Sequence, residues 1–196
     1  MNGFVRFIII SALQPEIAGR FDVARQQVCA VGGSSSALAY PPHVTLRTGT
    51  LVPSEKVDSF IADFGRTAGM WVPFPVRTDG FLFTSYTDGP ALKYLIAYKV
   101  HKGAALAGLN ERLLTYKPWR ATDRTSFEPH LTLAFDDLGL DGYLRAKDWL
   151  NENPDALPES FEWPCDNVGL YRQEGGLWTL FREWRQRSRD GAGATN

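Results

Sequence analysis

Two five-residue words constrain this chain more than any other feature. Pro42-His43-Val44-Thr45-Leu46 and Pro129-His130-Leu131-Thr132-Leu133 are the same pattern, with an apolar residue at the centre and 87 positions between the copies. Three histidines and thirteen threonines in 196 residues give roughly 0.2 His-x-Thr matches by chance. Two copies, each extended by the same proline and leucine, therefore point to a duplicated unit. Successive side chains of a strand point to opposite faces. Each word as a strand puts its histidine and threonine on one face and its two apolar residues on the other. The leading proline lacks an N–H, which suits the first residues of a strand. Such a chain needs two matching strands, apolar faces under helices and polar faces turned to a groove.

The rest of the chain reads in the same grammar. The β-branched and aromatic run at 4–11 predicts a strand. Pro15 opens a helix to about Val31, stopped by Gly32-Gly33. After Ser34-Ser35-Ser36 comes a strand from His43 to about Thr48. Val57, Phe60, Ile61 and Phe64 follow at helical spacing. The stretch 72–85 reads as strand with a turn at Asp79-Gly80, pairing with a strand at 93–100. Residues 104–116 predict a helix ended by Pro118, then a charged loop at 120–126 and a strand from His130 to Phe135. Gly142 to about Leu150 reads as a helix. Strands at about 165–172 and 177–184 flank the hairpin signal Glu174-Gly175-Gly176. Strands and helices without regular βαβ alternation predict an α+β fold. A single domain is expected over 1–185, with a flexible tail at 186–196.

Composition narrows the function. The net charge is −1, whereas a general nucleic-acid coat must neutralise many phosphates. Recognition of one nucleotide or one RNA end stays open. Cys29 and Cys165 are too few for a disulfide scaffold or a cysteine zinc site. The apolar run Phe4–Ile10 is interrupted by Arg6 and too short for a signal peptide, and no run reaches membrane-spanning length. The chain is expected to be a cytoplasmic monomer that contacts no membrane and needs no metal or cofactor.

Histidine titrates near neutrality, so two imidazoles facing one ligand can serve as one base and one acid. Threonine hydroxyls between them can hold phosphate oxygens. This set suits in-line displacement at phosphorus, with fixed donors rather than a metal stabilising the charge. The near symmetry of the words leaves open which histidine is the base.

On these paired words, and on the order of strands and helices over 1–185, the chain resembles the two-histidine (2H) phosphoesterase superfamily. Within it the resemblance is to the bacterial 2′-5′ RNA ligase and cyclic phosphodiesterase group. The resemblance implies two pseudo-twofold lobes of antiparallel sheet with outer helices around a central groove. It also implies metal-independent hydrolysis of 2′,3′-cyclic phosphates on nucleotides or RNA ends, with a 2′-phosphate as product. His43, Thr45, His130 and Thr132 would be the catalytic residues. Joining or cleaving 2′-5′ linkages in RNA is the nearest alternative, and a nucleotide-binding module without turnover is the other.

Four further residues are candidate substrate contacts. Arg47 shares the strand parity of His43 and Thr45, so an unbroken strand aims it at a phosphate in the groove. Arg124, with Arg120, sits in the loop before the second word. Tyr40 and Tyr171 could stack on a base. His101, before Lys102-Gly103, reads as a solvated strand end.

Overall fold

A single order of elements is used twice. Strand β1 (Phe4–Ala12), helix α1 (Pro15–Gly32), strand β2 (His43–Pro53) and helix α2 (Val57–Ala68) are followed by the long strand β3 (Phe74–Asp88). Then come β4 (Ala91–Val100), α3 (Ala104–Leu114), the short β5 (Arg120–Ala121), β6 (His130–Phe135) and α4 (Leu140–Glu152). Strands β7 (Glu162–Cys165), β8 (Asn167–Glu174) and β9 (Leu177–Arg185) complete the fold. The computed structural model describes residues 3–114, 120–121 and 127–186. The expected tail thus falls almost wholly outside the described residues.

The sheet runs β7-β3-β4-β6-β2-β1-β8-β9, with β5 also paired to β2, and all its pairings are antiparallel. It divides into two four-stranded lobes, β2-β1-β8-β9 and β6-β4-β3-β7. Among the described residues they meet where Val44 faces Leu131. Helices α1 and α4 pack together over β6 and β4, while α2 and α3 lie against β2. Each half thus lends its first helix to the other half's strand, so neither half can bury its sheet alone. Where α1 crosses α4, a Cβ on Gly142 would lie 2.0 Å from the Gly32 carbonyl oxygen, so the close approach requires glycine.

The helix-facing side of the sheet is apolar. Phe7, Ile9, Val44, Leu46, Leu131 and Leu133 are all fully buried there, each worth about 1.5–3 kcal/mol on leaving water. Phe21, Tyr98 and Phe161 interlock beside them at 5.4–6.1 Å between ring centroids. Among the described residues, no helix is long and apolar enough to cross a membrane.

Two expectations need correction. Asp79-Gly80 is not a turn: the strand continues through it as a bulge, with Thr78 opposite Val100, Phe81 opposite Tyr98 and Gly80 at φ 67°. An Asp-Gly pair satisfies a glycine bulge as well as a hairpin turn, and the chain reverses instead at Gly89-Pro90. Strand β7 is unanticipated because it contains Pro164. It lies at the sheet's edge, where a missing N–H is tolerated. The expected hairpin after Glu174 is present, with Gly175 and Gly176 both at positive φ.

Candidate active site

The duplication is stricter than the five-residue word. Along β1 and β2, Ala12 faces His43, Ser11 faces Val44 and Ile10 faces Thr45. Along β4 and β6, Lys99 faces His130, Tyr98 faces Leu131 and Ala97 faces Thr132. Every partner in the second set lies 87 positions beyond its counterpart in the first. Both ladders then slip by one residue at the same place. Ile9 faces Arg47, leaving Leu46 extra, and Ile96 faces Ala134, leaving Leu133 extra. Three residues after each extra leucine the chain adopts a left-handed backbone, within β2 at Gly49 (φ 65°) and just past β6 at Asp136 (φ 64°).

The two imidazoles are held alike. His43 Nδ1 lies 2.7 Å from the Pro41 carbonyl oxygen, and His130 Nδ1 lies 2.9 Å from that of Glu128. A carbonyl only accepts, so Nδ1 donates in both rings and the neutral tautomer keeps Nε2 as its basic atom. The antiparallel register fixed by Val44 and Leu131 sets His43 beside Thr132 and Thr45 beside His130. Two imidazoles and two hydroxyls therefore occupy alternate corners on one face of the sheet.

That face lines a cavity of about 710 Å³, within the range of small-ligand sites. His43, Thr45, His130 and Thr132 all border it. Arg6, Ile8 and Ile10 border it from β1, alternating with the buried Phe7 and Ile9. Tyr171 and Gln173 come from β8, Trp178 from β9 and Tyr86 from β3. Among the described residues, no three His, Cys, Asp or Glu side chains cluster as a metal site.

Burial governs the electrostatics of the first arm. Burial depresses the His43 pKa to about 4 against the opposing pull of the Pro41 carbonyl, and the nearby His130 and Arg25 charges lower it further. His43 is therefore neutral at pH 7. Arg25, only 5% exposed, pairs with Asp22 and donates to the carbonyls of Ala37 and Tyr40 at 2.7 and 2.8 Å. It thereby holds the loop whose Pro41 carbonyl orients His43. Asp137 fastens the start of that loop. Desolvation opposes its charge, but the Ser34 and Ser35 hydroxyls and the Ser35 and Ser36 amides hold its carboxyl down at about 2.

The remaining candidates part company. Tyr40 and Tyr171 line the cavity. A Cβ on Gly169 would lie 3.0 Å from the Tyr171 ring, so that ring packs closely over β8 at this glycine. Arg47 does not line the cavity. The extra residue at Leu46 reverses its parity, and its Nη1 donates to the Leu113 carbonyl at 2.7 Å, at the end of α3. The expectation that Arg47 enters the groove fails because a bulge re-aims the strand. Arg124 lies outside the described residues, as does the Arg120 side chain. His101 is exposed and borders a separate, smaller cavity. Sequence reading missed Arg6, Arg25, Gln173, Trp178 and Asp136. The 87-residue offset, carried beyond the five-residue word, leads to Arg6 and Asp136; the others depend on tertiary packing.

The family model described as the 2′-5′ RNA ligase superfamily matches residues 13–177. The chain is 26% identical over 152 residues to the "Putative phosphoesterase" of Bacillus thuringiensis (strain Al Hakam), covering 74% of this chain and 78% of that protein. Its fold matches TT0787 of Thermus thermophilus with a TM-score of 0.61 at 19% identity, over 94% of this chain and 99% of that one. It also matches E. coli LigT in apo form with a TM-score of 0.55 at 17% identity, over 93% and 97% of the two chains. LigT has also been crystallised with phosphate and with 3′-AMP.

Proposed function

This chain belongs to the 2′-5′ RNA ligase superfamily, with the α+β fold of the LigT-like phosphoesterases, and from that premise we propose that it hydrolyses 2′,3′-cyclic phosphates on nucleotides or RNA ends. The observation carrying the reading is the pair of matched arms on one cavity, each with its imidazole Nδ1 tied to a backbone carbonyl. A phosphate between them meets Nε2 of both rings and the hydroxyls of Thr45 and Thr132. One imidazole accepts a proton from water as the water oxygen bonds to phosphorus. The P–O3′ bond breaks, and the other imidazole gives its proton to O3′, leaving a 2′-phosphate. The threonines donate to the oxygens on which charge accumulates, and no step requires a metal. The phosphate and 3′-AMP complexes of LigT support a protein of this fold receiving such groups.

The family's name favours a second use of the same residues. With an RNA 5′-hydroxyl in place of water as the attacking group, the same displacement joins ends through a 2′-5′ linkage. The deciding assay offers purified protein, with chelator present, a cyclic mononucleotide and an RNA bearing a cyclic end plus a 5′-hydroxyl acceptor. Hydrolysis of the mononucleotide to a 2′-phosphate is expected. Release of product from neither substrate would refute the proposal.

A further inference from the structure

Two halves on one offset act as each other's control. Where they match, both sides of the groove need the same chemistry; where they differ, the substrate's two ends differ. Positions 6 and 93, 87 apart, both carry a cation at the corresponding point of β1 and β4. In the second half Lys93 forms an ion pair with Asp136, the residue in the left-handed conformation after the word. In the first half that left-handed position is Gly49, which offers no carboxylate.

Among the described residues, Arg6 is consequently engaged by neutral groups only. Its Nη1 lies 3.5 Å from the Gln173 Oε1, and its guanidinium lies over the Trp178 ring at 5.7 Å. Arg6, Gly49, Gln173 and Trp178 all border the cavity. The other bordering arginine, Arg25, is committed to Asp22 and two carbonyls. Among the described residues, Arg6 is the arginine of this cavity that faces no carboxylate. Its backbone position is set back along β1 from the two words. It lies four positions before Ile10, which faces Thr45, a span of about 13 Å.

We propose that Arg6, aided by Gln173, binds a second phosphate of the substrate, on the 5′ oxygen of the nucleotide whose cyclic phosphate lies between the histidines. This rests on the proposed phosphodiesterase reading. In such a nucleotide O2′ and O3′ are both closed in the ring, so any further phosphate hangs from O5′. A guanidinium lacking a carboxylate partner is suited to forked donation to that group. The phosphate can be a 5′-monophosphate or the phosphodiester of an RNA chain.

The test compares kcat/KM for adenosine 2′,3′-cyclic phosphate, its 5′-phosphorylated form and the dinucleotide ApA ending in a cyclic phosphate. The wild type is expected to favour the two 5′-phosphorylated substrates about tenfold over the first, the scale of one charge-assisted contact. Preference for the dinucleotide alone assigns the contact to a phosphodiester, and preference for both assigns it to any 5′ phosphate. Arg6→Gln should bring the ratio close to one. Gly49→Asp, which copies Asp136, should do the same by pairing with Arg6. Gly49→Asn imposes the same backbone demand without charge and should keep the ratio. A ratio unchanged by Arg6→Gln, or lowered equally by Gly49→Asn and Gly49→Asp, would overturn the inference while leaving the phosphodiesterase reading intact. Absence of turnover on all three substrates would overturn that reading and the inference with it.

Discussion

The arm around His43 and the arm around His130 share a backbone and differ in their surroundings. Both begin with a proline, tie the histidine Nδ1 to the carbonyl two residues back, and slip at the leucine after the threonine. Their neighbours diverge. Arg47 caps α3 where the second arm has the buried Ala134, Gly49 stands opposite Asp136 in the repeat, and the buried Arg25 lies near His43. The shared features are those that aim an imidazole and a hydroxyl. The divergent ones set the charge around each arm.

The broadest way to break this comparison is to delete each imidazole. His43→Ala and His130→Ala should each lower kcat by about 10²–10⁴-fold, the range for a general acid or base, with unchanged circular dichroism. A large loss in one arm alone would mean that the halves do not share the chemistry. Next come the hydroxyls. Thr45→Val and Thr132→Val should each cost on the order of 10²-fold in kcat, as for loss of one preorganised donor. Matching losses would support the alternating corners, measurable under single-turnover conditions.

Arg25 sharpens the contrast. Arg25→Met leaves the Ala37 and Tyr40 carbonyls short of a donor and should cost about 1–3 kcal/mol in urea unfolding. Removal of its charge should also raise the His43 titration midpoint, followed by proton NMR of the imidazole. Arg47→Gln should lower Tm through the lost cap on α3 while turnover of the cyclic substrate persists. A collapse of kcat/KM there would return Arg47 to the groove.

The strands with alternating or branched apolar residues, the helix opened by Pro15 and the duplicated word were legible because period and punctuation are local. Arg47 was misread for an equally local reason: parity counting assumes an unbroken strand, and the bulge at Leu46 is specified by pairing with Ile9, not by the residues around it. Arg25 was illegible because nothing in its helical neighbourhood says that a loop from residues 37 to 40 will fold over it. Gln173 and Trp178 join the groove only because β8 pairs with β1 across most of the chain's length. Candidate reactive residues announce themselves by type and repetition; the residues packed around them depend on long-range register.

The smallest expected effect is on acid stability. The folded His43 pKa, about 4, is below the ordinary 6.5, so the unfolded chain binds more protons between these values. Stability contributed by neutral His43 is present above about pH 6.5 and is lost as pH falls toward 4. Asp137, held at about 2 against an ordinary 3.8, adds a second loss below that. Both groups fasten the same loop, so acid should loosen the first arm before global unfolding, seen as earlier amide exchange at 34–42. A His43→Gln variant should flatten the upper part of the profile.

The central claim is that both arms close on one phosphate. The most direct measurement is a crystal structure of the protein with a nucleoside 2′-phosphate, the expected product. Its phosphate oxygens should lie within hydrogen-bond distance of Nε2 of both His43 and His130 and of the hydroxyls of both Thr45 and Thr132. A phosphate held by one arm alone, or bound outside the groove, would contradict it.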